Sequence, residues 1–247
     1  MCFNRKTLCT TGAFCKGLLI MSYTSKQFEE GVVLLVDKPL GWTSFDVIRK
    51  LRHLIRIRKI GHAGTLDPLA TGLLIVCTGK FTKRINQYMA QQKEYTGTIT
   101  IGATTPTYDL ESEPTNFIAT DHITLEKVRS ILPQFTGPIE QIPPAHSAIK
   151  VDGKRVYELA RKGKEVKLEP RSVHIYSFEV LSLQDAQLQF RVVCSTGTYI
   201  RSLANDLGQA LGCGAYLSSL RRTRIGEFDV SAAHTMESFA ANFSVQS

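Results

Sequence analysis

The segment Gly61-His62-Ala63-Gly64-Thr65-Leu66-Asp67-Pro68-Leu69-Ala70-Thr71-Gly72 constrains this chain more than any other. It holds three glycines, one histidine and a single acid, Asp67. It reads as a loop between a basic helix and an apolar strand. Such a loop brings a polyanion close to the main chain and leaves one carboxylate pointing at it.

The flanks strengthen that reading. Upstream, Val47, Ile48, Leu51, Leu54 and Ile55 fall on one face at helical spacing, and Arg49, Arg52, Arg56 and Lys59 fall on the other. Thr43 or Ser44 is the expected N-cap, with Asp46 in the first turn. No acid stands between Asp46 and Asp67. Solvated basic faces usually carry interleaved acids, so this face points to phosphate contact. Downstream, Leu73-Leu74-Ile75-Val76-Cys77 is a continuous apolar run, expected of a strand buried on both faces.

The whole chain has a formal net charge of +8 over 247 residues. A surplus of that size fits a polyanionic partner, and equally a merely basic enzyme. Among the six cysteines, Cys2, Cys9, Cys15, Cys77, Cys194 and Cys213, no CxxC pair occurs, so no zinc or redox motif is visible. Cys77 and Cys194 lie in apolar runs and read as buried thiols of a reducing cytoplasm. No apolar run approaches the roughly 18 residues of a membrane span.

Strands are expected at 32–36, 73–77, 95–101, 172–183, 187–194 and 222–230, and helices at 44–57, 82–89, 124–132, 155–162 and 199–211. This irregular alternation, with strand pairs joined by short turns, predicts an α+β fold around one mixed, mostly antiparallel sheet flanked by helices. Residues 1–30 are expected to be a disordered or non-native extension, with Met21 an alternative start, and residues 231–247 a short tail.

Known phosphate loops do not fit: there is no GK[ST] and no GxGxxG. Asp67 has no acidic neighbour, and His62 precedes it by five residues. With a reference pKa of about 3.9, Asp67 is ionised at neutral pH. Residue types alone leave it as nucleophile, as base, or as a structural ion-pair partner.

The glycine-rich segment resembles the catalytic motif of the bacterial tRNA pseudouridine synthase B family. Val36-Asp37-Lys38-Pro39-x-Gly41-x-Thr43-Ser44, Lys93-x-Tyr95, Gly197-Thr198-Tyr199-Ile200-Arg201-Ser202-Leu203 and Leu220-Arg221-Arg222-Thr223-x-x-Gly226 resemble its other motifs, in family order. Gln141-Ile142-Pro143-Pro144 through Lys150, Gly153, Tyr157, Ala160 and Gly163 resembles its RNA-gripping insertion, here about 137–170.

The resemblance implies a pseudouridine synthase fold over residues 31–230 and isomerisation of uridine 55 in the TΨC loop of tRNA. It makes Asp67 the nucleophile, Tyr95 the stacking aromatic and Arg201 the partner of the aspartate. It makes Tyr199 and Leu220 base-contacting residues, His62 a holder of the flipped-out geometry and Lys83 a basic residue near the site. Arg52 and Arg56 on the basic helix are candidates for phosphate contact. The glycines are read as room for the RNA backbone.

An isomerisation needs no cofactor and no metal. The implied partner is the tRNA T stem-loop, met by a cytoplasmic monomer with no membrane association. The C-terminal PUA domain common in bacterial members is not expected in residues 231–247. The alternatives are a non-catalytic tRNA-binding or folding protein of the same fold, and a pseudouridine synthase for another RNA.

Overall fold

The computed structural model describes residues 24–144, 150–151, 154–155 and 168–242. The first half of the chain runs α1 (Ser25–Glu30), β1 (Val33–Lys38), α2 (Ser44–Ile55), β2 (Ile60–Ala63), β3 (Ala70–Thr78), α3 (Ile85–Met89), β4 (Lys93–Ile101) and α4 (Leu125–Ile131). The second half runs β5 (Gly137–Gln141), β6 (Lys150–Val151), β7 (Lys154–Arg155), β8 (Arg171–Gln184), β9 (Gln187–Cys194), α5 (Ile200–Leu211), β10 (Ala215–Ile225), β11 (Phe228–Asp229) and α6 (Met236–Asn242).

Among the described residues nine strands form one sheet with the backbone order β1-β3-β10-β4-β9-β8-β5; β2 pairs with β3 and β11 with β10. Among the described strand pairings of this sheet only β3–β10 is parallel. The α+β architecture with a mixed, mostly antiparallel sheet is therefore as expected. Among the described residues no helix is long and apolar enough to cross a membrane.

The apolar run of β3 is buried on both faces. Leu74 and Val76 join α1, α2 and β1 on one side; Leu73, Ile75 and Cys77 pack towards β10, β11 and α3 on the other. A second core lies under β4, β8, β9 and β10, closed by α4 and α5. Cys77 and Cys194 are buried, and burial pushes both thiols up to about 11, so they are packing groups.

α2 begins where its sequence says. Thr43 is the N-cap, and its hydroxyl and the Asp46 carboxylate form a reciprocal capping box. Ser44, Val47, Ile48, Leu51 and Ile55 are buried, and Arg49, Arg52 and Arg56 are exposed.

Several expectations change. The loop read as 61–72 shrinks to 64–69, because its ends are drawn into β2 and β3. The last strand begins at Ala215, not at Arg222. The expected helix at 82–89 starts as a 3₁₀ turn over Gly79–Arg84 and becomes α-helical only at Ile85. Residues 25–30, expected in the extension, form α1, because Phe28 is 1% exposed and Thr24 caps the helix. Residues 236–242, expected in the tail, form α6, because Met236 and Phe239 bury against the α1–α2 side of the sheet. Residues 1–23 and 243–247 lie outside the described residues. So do most of the expected insertion, with Gly153, Tyr157, Ala160 and Gly163, and nearly all of the helix expected at 155–162.

The sheet places the Asp67 loop. One edge of β3 pairs with β2 at residues 75–78 and with β10 at residues 70–72. The loop 64–69 leaves β2 and re-enters β3 where the partner changes. Gly72 sits at this junction with φ +102, and a Cβ there would lie 2.3 Å from the Arg222 carbonyl oxygen. A side chain thus meets both a strained backbone and a fixed main chain. Gly72→Ala is expected to cost about 2 kcal/mol or more and to lower Tm by several degrees in a thermal melt; an unchanged Tm would show that the junction has slack.

The expectation that the loop glycines make room for RNA needs correction. Gly72 admits β10, and a Cβ on Gly61 would come 2.9 Å from the Ile85 side chain. Two of the three glycines accommodate protein. Only Gly64 faces the cavity described below, with 3.6 Å to its nearest neighbour.

Candidate active site

A cavity of about 290 Å³ opens beside the loop 64–69. Its walls come from that loop, from the start of β4, from residues 195–201 leading into α5, and from β10. Asp67, Tyr95, Tyr199, Arg201 and Leu220 all line it. Five of the nine residues singled out from sequence are thus brought together from four separate segments.

Asp67 and Arg201 are in direct contact. Arg201 Nε lies 3.0 Å from Asp67 Oδ2, and the arginine is 4% exposed while the aspartate keeps 39% of its side chain open. The arginine also lies 3.4 Å from Asp109 Oδ2, and Asp109 is 5% exposed. Its Nη1 donates to the Thr107 carbonyl at 3.4 Å. One buried guanidinium therefore spans two carboxylates and holds the exposed one at the cavity wall. Burial pushes the Asp67 carboxyl above its ordinary value; Arg201 opposes the rise most strongly, Asp109 adds to it and Lys38 opposes it.

α5 presents Arg201 because its first turn is clamped from outside. Tyr199 N–H donates to Gln141 Oε1 at 2.7 Å, and Gln141 Nε2 donates to the Tyr199 carbonyl at 3.0 Å. Ser202 Oγ donates to the Ile142 carbonyl at 2.8 Å. The end of β5 and the residues after it thus fix the start of α5.

Tyr95 projects from β4 beside Arg222 of β10, its register partner. Burial pushes the Tyr95 phenol up and outweighs the neighbouring Arg222 guanidinium, which lowers it, so Tyr95 stays neutral. Arg222 is 1% exposed. Its Nε donates to the Leu73 carbonyl at 2.8 Å and its Nη2 to the Gly64 carbonyl at 3.2 Å. It ties β3, the loop and the tyrosine together.

Two buried lysines complete the electrostatics. Lys38 Nζ donates to the carbonyls of Pro39 at 2.9 Å, Trp42 at 2.6 Å and Pro68 at 3.3 Å. It fastens the turn before α2 to the residue after Asp67. Lys93 Nζ donates to the carbonyls of Met89 and Gln91. Burial lowers both amines to about 8, with Asp67 opposing the shift at Lys38 and Arg222 adding to it at Lys93. The surroundings of Asp67 are cationic on balance, which suits a polyanion.

The other four sequence candidates lie outside the cavity lining. His62 stands on β2, half-buried; burial and Arg222 lower its pKa and keep it neutral, and its Nδ1 finds no partner among the described residues. Lys83 is exposed on the 3₁₀ turn after β3. Arg52 is exposed on α2, and Arg56 is the exposed left-handed C-cap residue where the helix, expected to run to residue 57, ends after Ile55.

Sequence reasoning assigned no role to Asp109, Arg222, Lys38, Lys93 or Gln141. Four of them stand in motifs already quoted. Asp109 lies in a loop with other acids, where nothing local marks it as the buried one. Its neighbour Tyr108 has φ +63, and the Tyr108 carbonyl accepts from Leu217 N–H at 2.9 Å, which pins the loop to β10.

Comparison with known proteins agrees with this geometry. The family model for the TruB family pseudouridylate synthase N-terminal domain matches residues 52–200, and that for the tRNA pseudouridylate synthase B C-terminal domain matches 201–246. The chain is 52% identical over 217 residues to the tRNA pseudouridine synthase B of Flavobacterium johnsoniae, covering 85% of this chain and 95% of that protein. It is 54% identical over 206 residues to that of Bacteroides fragilis, covering 81% and 88%. Among solved structures, a Cbf5–Nop10–Gar1 complex superposes with a TM-score of 0.68 at 31% identity, over 87% of this chain. An H/ACA RNP bound to a substrate RNA containing 2′-deoxyuridine gives 0.64 at 28%, again over 87%. The chain spans about half of those two solved chains, 54% and 53%.

Proposed function

We propose, for a chain that belongs to the TruB family of pseudouridylate synthases, that Asp67 is the nucleophile of a tRNA pseudouridine synthase acting at position 55. Members of this family isomerise uridine to pseudouridine, and the activity proposed for this chain is that isomerisation in tRNA. The observation that carries the site assignment is the Asp67–Arg201–Asp109 arrangement at the wall of a cavity that Tyr95 also lines.

The reaction sets the requirements. The bond from uracil N1 to the ribose breaks, the base turns, and a bond from C5 to the same ribose carbon forms, with loss of the C5 proton and uptake of a proton at N1. A stacked uridine cannot reach Asp67, so it must leave the RNA stack and enter the cavity. Tyr95 supplies a ring to replace the lost stacking, and Tyr199 and Leu220 contact the base. Arg201 keeps Asp67 ionised against the effect of burial. His62 and Lys83, outside the lining, act on the RNA around the flipped nucleotide. The T stem-loop is the part of tRNA that delivers the uridine, and the enzyme works as a cytoplasmic monomer.

Release of tritium from tRNA labelled at uracil C5, with mapping of the modified position, tests this function. Release with pseudouridine at position 55 supports it. RNA binding without release would favour a tRNA-folding protein, and modification elsewhere would favour a synthase for another RNA.

Arg52 and Arg56 are proposed to contact phosphates. The pair of charge reversals Arg52→Glu and Arg56→Glu is expected to weaken tRNA binding and to flatten the plot of log affinity against log salt by about 0.7 per lost phosphate contact. An unchanged slope in salt-dependent binding titrations removes α2 from the interface.

A further inference from the structure

We propose that one flank of α2 is a rail for the RNA beside the reacting uridine, with Phe45 as its stacking platform. This inference rests on the functional reading above and adds a residue that it does not use.

Residues 45, 49 and 52 recur at helical spacing and share one flank of α2, beside the buried stripe of Val47, Ile48, Leu51 and Ile55, and Arg56 follows as the left-handed C-cap residue just past its end. All four are exposed, and Phe45 is 59% exposed. From Phe45 to Arg56 the flank runs about 16 Å. The only acid on the helix is Asp46, which caps Thr43 and pairs with Arg49 at 2.7 Å. Among the described residues Arg52 and Arg56 have no carboxylate within ion-pair distance. An aromatic ring followed by arginines matches single-stranded nucleic acid, whose bases offer ring faces and whose backbone offers phosphates.

The placement joins this flank to the site. Ser44, the residue before Phe45, is buried and bonded twice to the residue before Asp67. Leu66 N–H donates to Ser44 Oγ at 2.9 Å, and Ser44 Oγ donates to the Leu66 carbonyl at 3.2 Å. Gly41 N–H donates to the Pro68 carbonyl at 2.9 Å on the other side of Asp67. The aromatic end of the rail is thereby fixed to the catalytic loop itself. When a uridine leaves its stack for the cavity, the base next to it loses a partner. Phe45 stands where that base needs a new one, and Arg52 and Arg56 continue along the strand.

Stacking and phosphate contact respond differently to salt, which gives the test. Labelled T-arm stem-loop RNA is titrated at several salt concentrations with the full-length wild type, Phe45→Ala, Phe45→Leu and Phe45→Trp. Phe45→Ala is expected to weaken Kd about tenfold with the salt slope unchanged. Phe45→Trp should bind within about twofold of wild type, and Phe45→Leu should behave like alanine. Because Phe45 is exposed, none of these changes opens a core cavity, and a melt checks that Tm is unaltered. Phe45→Ala within twofold of wild type, or Phe45→Leu as good as Phe45→Trp, overturns the stacking role. Tritium release by the wild type is read separately, so a failure of the chemical reading leaves the binding result to judge the rail.

Discussion

Asp67→Asn is expected to reduce tritium release from C5-labelled tRNA by at least about 10⁴-fold while leaving tRNA affinity within a few-fold of wild type. The amide keeps the shape of the carboxylate but cannot serve as the nucleophile, and removal of a group that forms the covalent intermediate costs factors of this size. Affinity survives because it rests on phosphate contacts and stacking spread over the surface. The fold survives as well: asparagine removes a charge that sits beside the buried Asp109 and whose ionisation burial already disfavours. Single-turnover release and a binding titration on the same preparation make the comparison. Turnover at the wild-type rate would show that Asp67 is only an ion-pair partner of Arg201.

Arg201→Ala is expected to lower release by at least about 100-fold, and Arg201→Lys to restore little of it. The guanidinium touches Asp67 and Asp109 at once. An ammonium is a point charge without the fork that serves both. Small misplacement of a reacting group already costs about 100-fold. The pH profile separates this role from a merely structural one. Burial has already raised the Asp67 pKa, and Arg201 is the strongest influence opposing the rise. Activity needs the ionised form, so it falls as pH drops through that raised pKa. Without Arg201 the pKa climbs further, and the acid limb of the profile must move to higher pH. Stability falls as well, by about 3 kcal/mol or more, because two carboxylates lose their buried counter-charge. A variant with a lower Tm but an acid limb in the wild-type position would confine Arg201 to structure.

The parts of the site legible in the sequence were those carried by short local patterns. Asp67 stood alone among glycines, and Tyr95, Tyr199, Arg201 and Leu220 came with motifs in order. Asp109 was not legible, because burial and a partner 92 positions away do not mark a short loop segment. Arg222 was visible as a residue but not as a hub, since its partners Leu73, Gly64 and Tyr95 belong to other strands. The first half of β10 was hidden for a different reason. Its pairing with β4 shifts register between Leu217 and Ser219 and again between Arg222 and Arg224. Bulges break the two-residue alternation on which strand reading depends. β2 escaped because its four residues become a strand only where β3 runs on beyond its pairing with β10.

The sequence by itself determined the α+β class, the start and cap of α2 and the double-sided burial of β3, while the end of α2 falls at Ile55 and not at the expected residue 57. These follow from periodicity, capping and residue type, which act over a few neighbouring positions. The tertiary structure alone decided that Arg201 bridges Asp67 to Asp109, that Gly61 and Gly72 yield to protein instead of RNA, and that Phe45 is anchored beside the Asp67 loop. Each of these depends on which strand lies against which, and side chains distant in sequence acquire their charge environment and their clearance only when the sheet brings them together.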